Sequence, residues 1–114
     1  MLHITPEIMV ASYELLRVCP PFRRWKLPPA DAVKFKVALT PMWHGWFRNE
    51  DPPLIVISAR SIGSLDMVTR VMAHEMVHFA QAIAGTARGA EHNADFYRRA
   101  ALVCKSFCWD RKAF

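Results

Sequence analysis

Cysteine is sparse in this chain, and its pattern is not that of a disulfide framework. Cys19, Cys104 and Cys108 are an odd set, and no C-x-x-C pair occurs. Cys104 and Cys108 sit four apart on one expected helix face, a poor geometry for a bridge. Three reduced, mostly buried thiols are expected, which points to a reducing, cytoplasmic setting. Long apolar runs are missing too. No segment is apolar enough to span a membrane, and the start Met1-Leu2-His3-Ile4-Thr5-Pro6 lacks the basic region and apolar stretch of a signal peptide. Repeats and low-complexity stretches are absent. What remains is one domain over residues 1–114, large enough to bury a core without disulfides. It is expected to be a monomer with no membrane partner.

The net charge is +5. A basic chain of this size can contact nucleic acid or acidic proteins. The charges are spread out, and only Arg23-Arg24-Trp25-Lys26 mixes cations and an aromatic ring densely. Such a cluster could hold a phosphate backbone and stack a base; a solvated loop is the commoner use of such residues.

Proline and glycine are both missing from Leu65 to Ala84. Leu65, Val68, Met72, Met76, Phe79 and Ile83 recur at three- and four-residue steps, which predicts a core-facing helical stripe. Ser64 suits the N-cap, Asp66 the first turn and Gly85 the residue after the last turn. Val71, Ala73, Val77, Ala80 and Ala82 make the other faces apolar, so the helix is expected to be buried. Within it lies His74-Glu75-Met76-Val77-His78, an H-E-x-x-H motif. Residues i and i+4 stack on one helix face, so two imidazoles there can bind one metal ion. Glu75, rotated about 100° from His74, can reach a metal-bound water without being a ligand. That chemistry is a zinc peptidase's: the ion acidifies the water and polarises a carbonyl, and the glutamate takes the proton. Buried histidines and a glutamate need partners, and one zinc ion would satisfy all three.

A catalytic zinc site takes three protein ligands. The extended H-E-x-x-H-x-x-G-x-x-H pattern fails, because Gln81 and Ala84 stand at its positions. The next candidates are Glu91, His92 and Asp95. The chain runs about 9 Å from His78 to the helix end, and seven loop residues span up to about 24 Å, so it can return to the metal. A last helix is expected from about Asn93 to Phe107, with Arg98, Arg99 and Lys105 solvated. Two third-ligand assignments compete. Glu91-x-x-Ala94-Asp95 resembles the glutamate helix of thermolysin-like gluzincins, in which the Glu is a ligand and the Asp orients a histidine. His92-Asn93-Ala94-Asp95-Phe96 resembles the H-G-x-E-F segment of the SprT-like family, in which the His is the ligand, and this assignment is preferred.

Ahead of the motif, Thr5 is expected to cap a first helix with Pro6 at its first position. Ile8, Val10, Ala11, Leu15 and Val18 are its expected apolar face. Phe22 to Ala30 reads as an irregular connection. Val33, Phe35, Val37 and Leu39 alternate with Lys34, Lys36 and Ala38, which predicts a half-buried strand. Trp43 to Phe47 and Leu54 to Ile57 predict two more. The fold class is α+β: three helices on a small antiparallel or mixed three-stranded sheet.

This order of elements is similar to that of SprT-like metallopeptidases, particularly the compact phage and prophage type, which would work in a host cytoplasm. The resemblance implies a minimal zincin domain that hydrolyses peptide bonds in proteins, with His74, His78 and His92 holding one Zn²⁺ and Glu75 as general base. The chain departs from the family at Asn93, where glycine is usual, and it has no C-x-x-C pair to build a zinc ribbon. An edge strand at His44-Gly45-Trp46-Phe47 would bind substrate by main-chain pairing. His44, Tyr97 and Tyr13 are oxyanion candidates. An action on DNA-associated proteins is weakly implied. The competing class is a zinc-containing binding module that contacts a host protein or nucleic acid.

Overall fold

The computed structural model describes residues 2–60 and 62–114. Helix α1 spans Pro6–Arg17 and is capped by Thr5, whose hydroxyl accepts the Ile8 N–H at 3.2 Å. Its buried side is Met9, Ser12, Tyr13 and Leu16. The expected face was misplaced: Val10, Leu15 and Val18 are exposed. Met9, Tyr13 and Leu16 recur at steps of four and three, so they form the stripe that meets the sheet and the central helix. Tyr13 is buried with its hydroxyl donated to the Pro28 carbonyl at 2.6 Å, which lets an amphipathic ring count as core.

The Pro-rich connection contains two 3₁₀ turns, Phe22–Arg24 and Ala30–Ala32. Three strands follow: β1 (Lys34–Ala38), β2 (Gly45–Arg48) and β3 (Leu54–Ser58). The second starts later than expected, so Trp43 and His44 lead into it. The sheet is mixed, with β3 in the middle, parallel to β1 and antiparallel to β2. All of β3 is buried, as a central strand in a small sheet should be. Ile55 and Ile57 face the helices within the main core; Phe35, Val37 and Phe47 pack against that core from the flanking strands. The opposite side carries Lys34, Lys36, Trp46 and Arg48, with the Arg48 guanidinium 4.4 Å from the Trp46 ring centre.

Helix α2 (Leu65–Ala84) lies centrally, touching α1, α3 (Ala94–Phe107), β2 and β3. Ser64 caps its start by accepting the Met67 N–H at 3.2 Å. Gly85 ends it in the left-handed conformation at φ 74°, where glycine escapes the Cβ clash. Gly85 N–H then bonds Ala82 O, and Thr86 N–H bonds Gln81 O at 2.9 Å, closing the last turn. The middle of the expected stripe holds: Val68, Met72, Met76 and Phe79 are buried. Its ends do not, since Leu65 and Ile83 overhang the layer below and are exposed. In α3 the buried set is Phe96, Arg99, Ala100, Val103 and Cys104. Arg99 is therefore not solvated as expected: it bonds Asp95 at 2.8 Å and lies over the Trp25 ring. The thiols are free, but only Cys104 is buried; Cys108 ends α3 at the surface. No helix among the described residues is long and apolar enough to cross a membrane.

Candidate metal centre

One turn of α2 separates His74 from His78, so their rings stack along one helix face, with centres 5.2 Å apart. His92, two residues ahead of α3, returns to the same place. Its ring centre is 5.1 Å from that of His74 and 5.2 Å from that of His78. The three imidazoles thus form a nearly equilateral triangle. Each offers one nitrogen within 4.8 Å of the other two, so the set can hold a metal ion. Glu91, the rival third ligand, is not a member of this set. It lines a pocket beside His78.

Phe96 is the floor beneath all three rings, with centre distances of 5.0, 4.7 and 4.5 Å to His74, His78 and His92. Sequence reasoning placed Phe96 in the H-G-x-E-F-like segment but missed this role. The signal was there: Phe96 follows His92 by only four residues, in the first turn of α3. Phe114 closes another side. Its carbonyl lies 3.2 Å from His74 Nδ1 and its ring packs on the His74 ring.

Burial sets the electrostatics. Desolvation, helped by neighbouring imidazoles, lowers His74 and His78 to about 4. Both are therefore neutral at physiological pH, the state in which a ring nitrogen can donate its lone pair. Glu75 is raised to about 8, first by burial and then by the Glu91 charge. The decisive polar detail is His78 Nε2, which is buried and has no hydrogen-bond partner. Buried polar atoms are seldom left so, and a metal ion on this nitrogen removes the anomaly. Three imidazoles suit zinc or a similar borderline ion, so residues and ligand fit.

Glu75 reaches toward β2 and shares a cleft with His74. A Cβ on Gly45 would fall 2.6 Å from Val71 Cγ1 and 3.0 Å from Glu75 Oε2, so the strand can approach this closely only because residue 45 has no side chain. A cleft of about 290 Å³ opens here, bounded by His44, Gly45, Arg70, His74, Glu75 and Phe114. A second of similar size lies farther along β2, bounded by Phe47, Asn49, His78, Gln81 and Glu91. The histidines sit between the two.

The loop after α2 is tied down by side chains. Asn93 caps α3 by accepting the Phe96 N–H at 2.9 Å, and its amide donates to Thr86 O and Arg88 O. This explains how asparagine serves where the family resemblance led one to expect glycine. Asp95 accepts from Gln81, Thr86, Arg98 and Arg99. Burial alone would raise its carboxyl, but those hydrogen bonds outweigh it and hold the group well below the usual range.

The other sequence candidates divide. His44 is at the cleft mouth, with its carbonyl accepting from Ser58 N–H at 2.8 Å. Tyr97 is exposed, its ring centre 6.4 Å from that of His92. Tyr13 is excluded as an oxyanion donor by its bond to Pro28. Arg23, Arg24 and Lys26 are exposed, whereas Trp25 packs edge-on against Phe22 and beneath Arg99, so its ring is already in use. No protein-family model, curated protein or solved structure matches the chain.

Proposed function

We propose that the chain is a zinc-dependent endopeptidase of the minimal zincin type, similar in plan to SprT-like proteins. One observation carries the reading: three imidazoles converge near a buried carboxyl group, and the buried Nε2 of His78 has no hydrogen-bond partner. His74, His78 and His92 would hold the ion. Bound zinc supplies Lewis acidity toward a carbonyl and toward water.

The chain's own residues do the rest. Glu75 takes a proton from the attacking water on its carboxylate and returns it to the leaving amine. Phe96 and Phe114 exclude bulk solvent from one side, which strengthens each electrostatic contact within. The peptide lies along β2. His44 O accepts from Ser58 N–H, and antiparallel pairing alternates. The main-chain groups of Trp46 and Arg48 therefore face β3, and those of Gly45 and Phe47 face the open edge. A substrate strand pairs with these two residues, and its scissile bond lies between the two pockets. His44, which lines the cleft, and Tyr97, beside His92, are the side chains proposed to steady the oxyanion.

Glu75→Gln is the test. It should retain one zinc per chain and lose cleavage of an unfolded protein substrate by about 10²–10⁴-fold, the usual worth of a positioned general base. Zinc retained with cleavage unchanged overturns the catalytic reading and leaves a metal-bearing binding module.

A further inference from the structure

We propose that Arg70 is a specificity-determining residue of the cleft: its guanidinium binds a carboxylate of the peptide substrate within about two residues of the scissile bond. This inference rests on the peptidase reading above, but its first test needs neither zinc nor turnover.

Helical geometry puts Arg70 on the face of α2 that meets the cleft. Met67, Arg70, Val71, His74 and Glu75 occupy positions i, i+3, i+4, i+7 and i+8, and all five line the space beside the start of β2. Val71 marks how near that strand lies, since a Cβ on Gly45 would fall 2.6 Å from its Cγ1. Arg70 precedes His74 by one helical turn, about 6 Å along the axis. An extended peptide advances about 3.3 Å per residue. A side chain of the substrate about two residues from a bond cleaved at the metal therefore comes level with Arg70.

The donors of Arg70 are only partly used. Its Nη2 lies 3.2 Å from Asp66 Oδ2. That is a pair between helix neighbours in which the carboxylate is mostly exposed, a kind worth little in water. Nε is different: it is buried and has no hydrogen-bond partner. An arginine that served only this surface pair would keep its nitrogens in water. Among the described residues three buried side-chain polar atoms lack a partner, and two of them, Arg70 Nε and His78 Nε2, belong to this one helix. Buried donors are seldom left so. An acceptor seated in the cleft would supply what Nε lacks.

The lining selects the acceptor. Arg70 is the one lysine or arginine among the described residues that bound the cleft. A planar guanidinium matches the two oxygens of a carboxylate. Met67, Val71 and Phe114 offer apolar surface to the methylenes that carry it. A phosphate dianion is poorly matched, because a single cation faces it and the Glu75 carboxyl shares the space. An acidic side chain and a peptide's own C-terminal carboxylate present the same group, and the two are separated by experiment.

The first measurement is peptide binding to the metal-free protein, by fluorescence anisotropy of dye-labelled hexapeptides. One set is blocked at both ends and carries a single Glu or Gln, walked along the sequence. The other has no acidic side chain and ends in a free acid or an amide. In one of the two sets the carboxylate form should bind about 10-fold tighter, the usual worth of a hydrogen bond to a charged group. The first set identifies an acidic side chain as the ligand, the second a chain end. Arg70→Gln should abolish the preference, and Arg70→Glu should reverse it in favour of a Lys peptide. The second measurement is cleavage of a mixed peptide library by the zinc-loaded protein, with the sites read by mass spectrometry. Wild type should enrich a carboxylate at one position near the cut, and Arg70→Glu should replace it with Lys or Arg. Equal binding of the carboxylate and amide forms by wild type, or no binding of either, overturns the proposal even if neither variant folds. So does a folded Arg70→Gln protein that keeps the preference, or a library cut without one. Wild type with an Arg70-dependent preference in binding but no cleavage leaves Arg70 standing as a carboxylate-binding residue and overturns the peptidase reading instead.

Discussion

Gly45→Ala adds one methyl group and should disable the site by moving a neighbour. The new Cβ would lie 2.6 Å from Val71 Cγ1, 3.0 Å from Glu75 Oε2 and 3.2 Å from Glu75 Cγ. Ordinary carbon contacts are about 3.5–4.0 Å, so roughly an ångström must be found. Val71 cannot easily yield it, because a β-branched side chain on a helix has essentially one rotamer. Either β2 lifts from α2 or the Glu75 carboxylate swings away. Overpacking of this kind costs about 1–3 kcal/mol, equivalent to a Tm loss of roughly 4–8 °C per kcal/mol in a domain of this size. A misplacement of about 1 Å at a reacting group can cost about 10²-fold in rate. The assay is thermal unfolding, zinc content and cleavage rate on Gly45→Ala, Val71→Ala and the double variant. Removing the Val71 methyls relieves the closest clash, so the double variant should recover stability. It should recover activity less, since the 3.0 Å contact with Glu75 remains. A Gly45→Ala protein with wild-type Tm and cleavage would refute the close-approach argument.

Metal-free protein should be most stable near pH 6.5. His74 and His78 have folded values lowered to about 4, so their contribution is complete above the unfolded value of about 6.5 and is lost as pH falls toward 4. Glu75 has the opposite sign: raised to about 8, it stabilises fully below its unfolded value and ever less as pH rises toward 8. Between roughly pH 4.5 and 6.5 two histidines outweigh one carboxylate, and above that range only Glu75 acts. Urea midpoints against pH in the presence of a chelator measure this. Glu75→Gln should flatten the alkaline limb, and a profile without a maximum would sink the assignment of signs. Tyr13→Phe should cost about 1 kcal/mol through the lost bond to Pro28 O, with zinc content and cleavage unchanged. A selective loss of cleavage would return Tyr13 to the list of site residues.

How much of this was legible beforehand depended on how local each signal was. The caps Thr5, Ser64 and Gly85 act within one turn of chain, and all three lie where their residue types suggested. The face of α1 was misjudged because Val10, Leu15 and Val18 are apolar but overhang solvent, whereas Tyr13 carries a hydroxyl and is core. Apolar identity was the wrong measure there; a partner for the polar atom decided the matter. Arg99 is the same case with a charge. Its burial depends on Asp95, one helical turn away, and on Trp25, which reaches it only through the fold.

The site divides along the same line. His74, Glu75 and His78 share one helix, so helical geometry alone predicts their arrangement. His92 comes from another segment, and chain length could establish only that it was within reach. Its convergence depends on the turn at Gly85 and on the bonds that Asn93 and Asp95 make back to Thr86, Arg88 and Gln81. The gluzincin resemblance had suggested an aspartate that orients a histidine. Asp95 does face the helix that carries the histidines, but its bonds go to the Gln81 amide, to Thr86 and to two arginines. A carboxylate directly on an imidazole would make the ligand more basic, whereas Asp95 ties down the loop that carries His92. Burial raises Glu75 to about 8 while hydrogen bonds hold Asp95 well below the usual range, so of these two carboxyls it is Glu75 that can exchange a proton near neutrality, as the proposed chemistry requires.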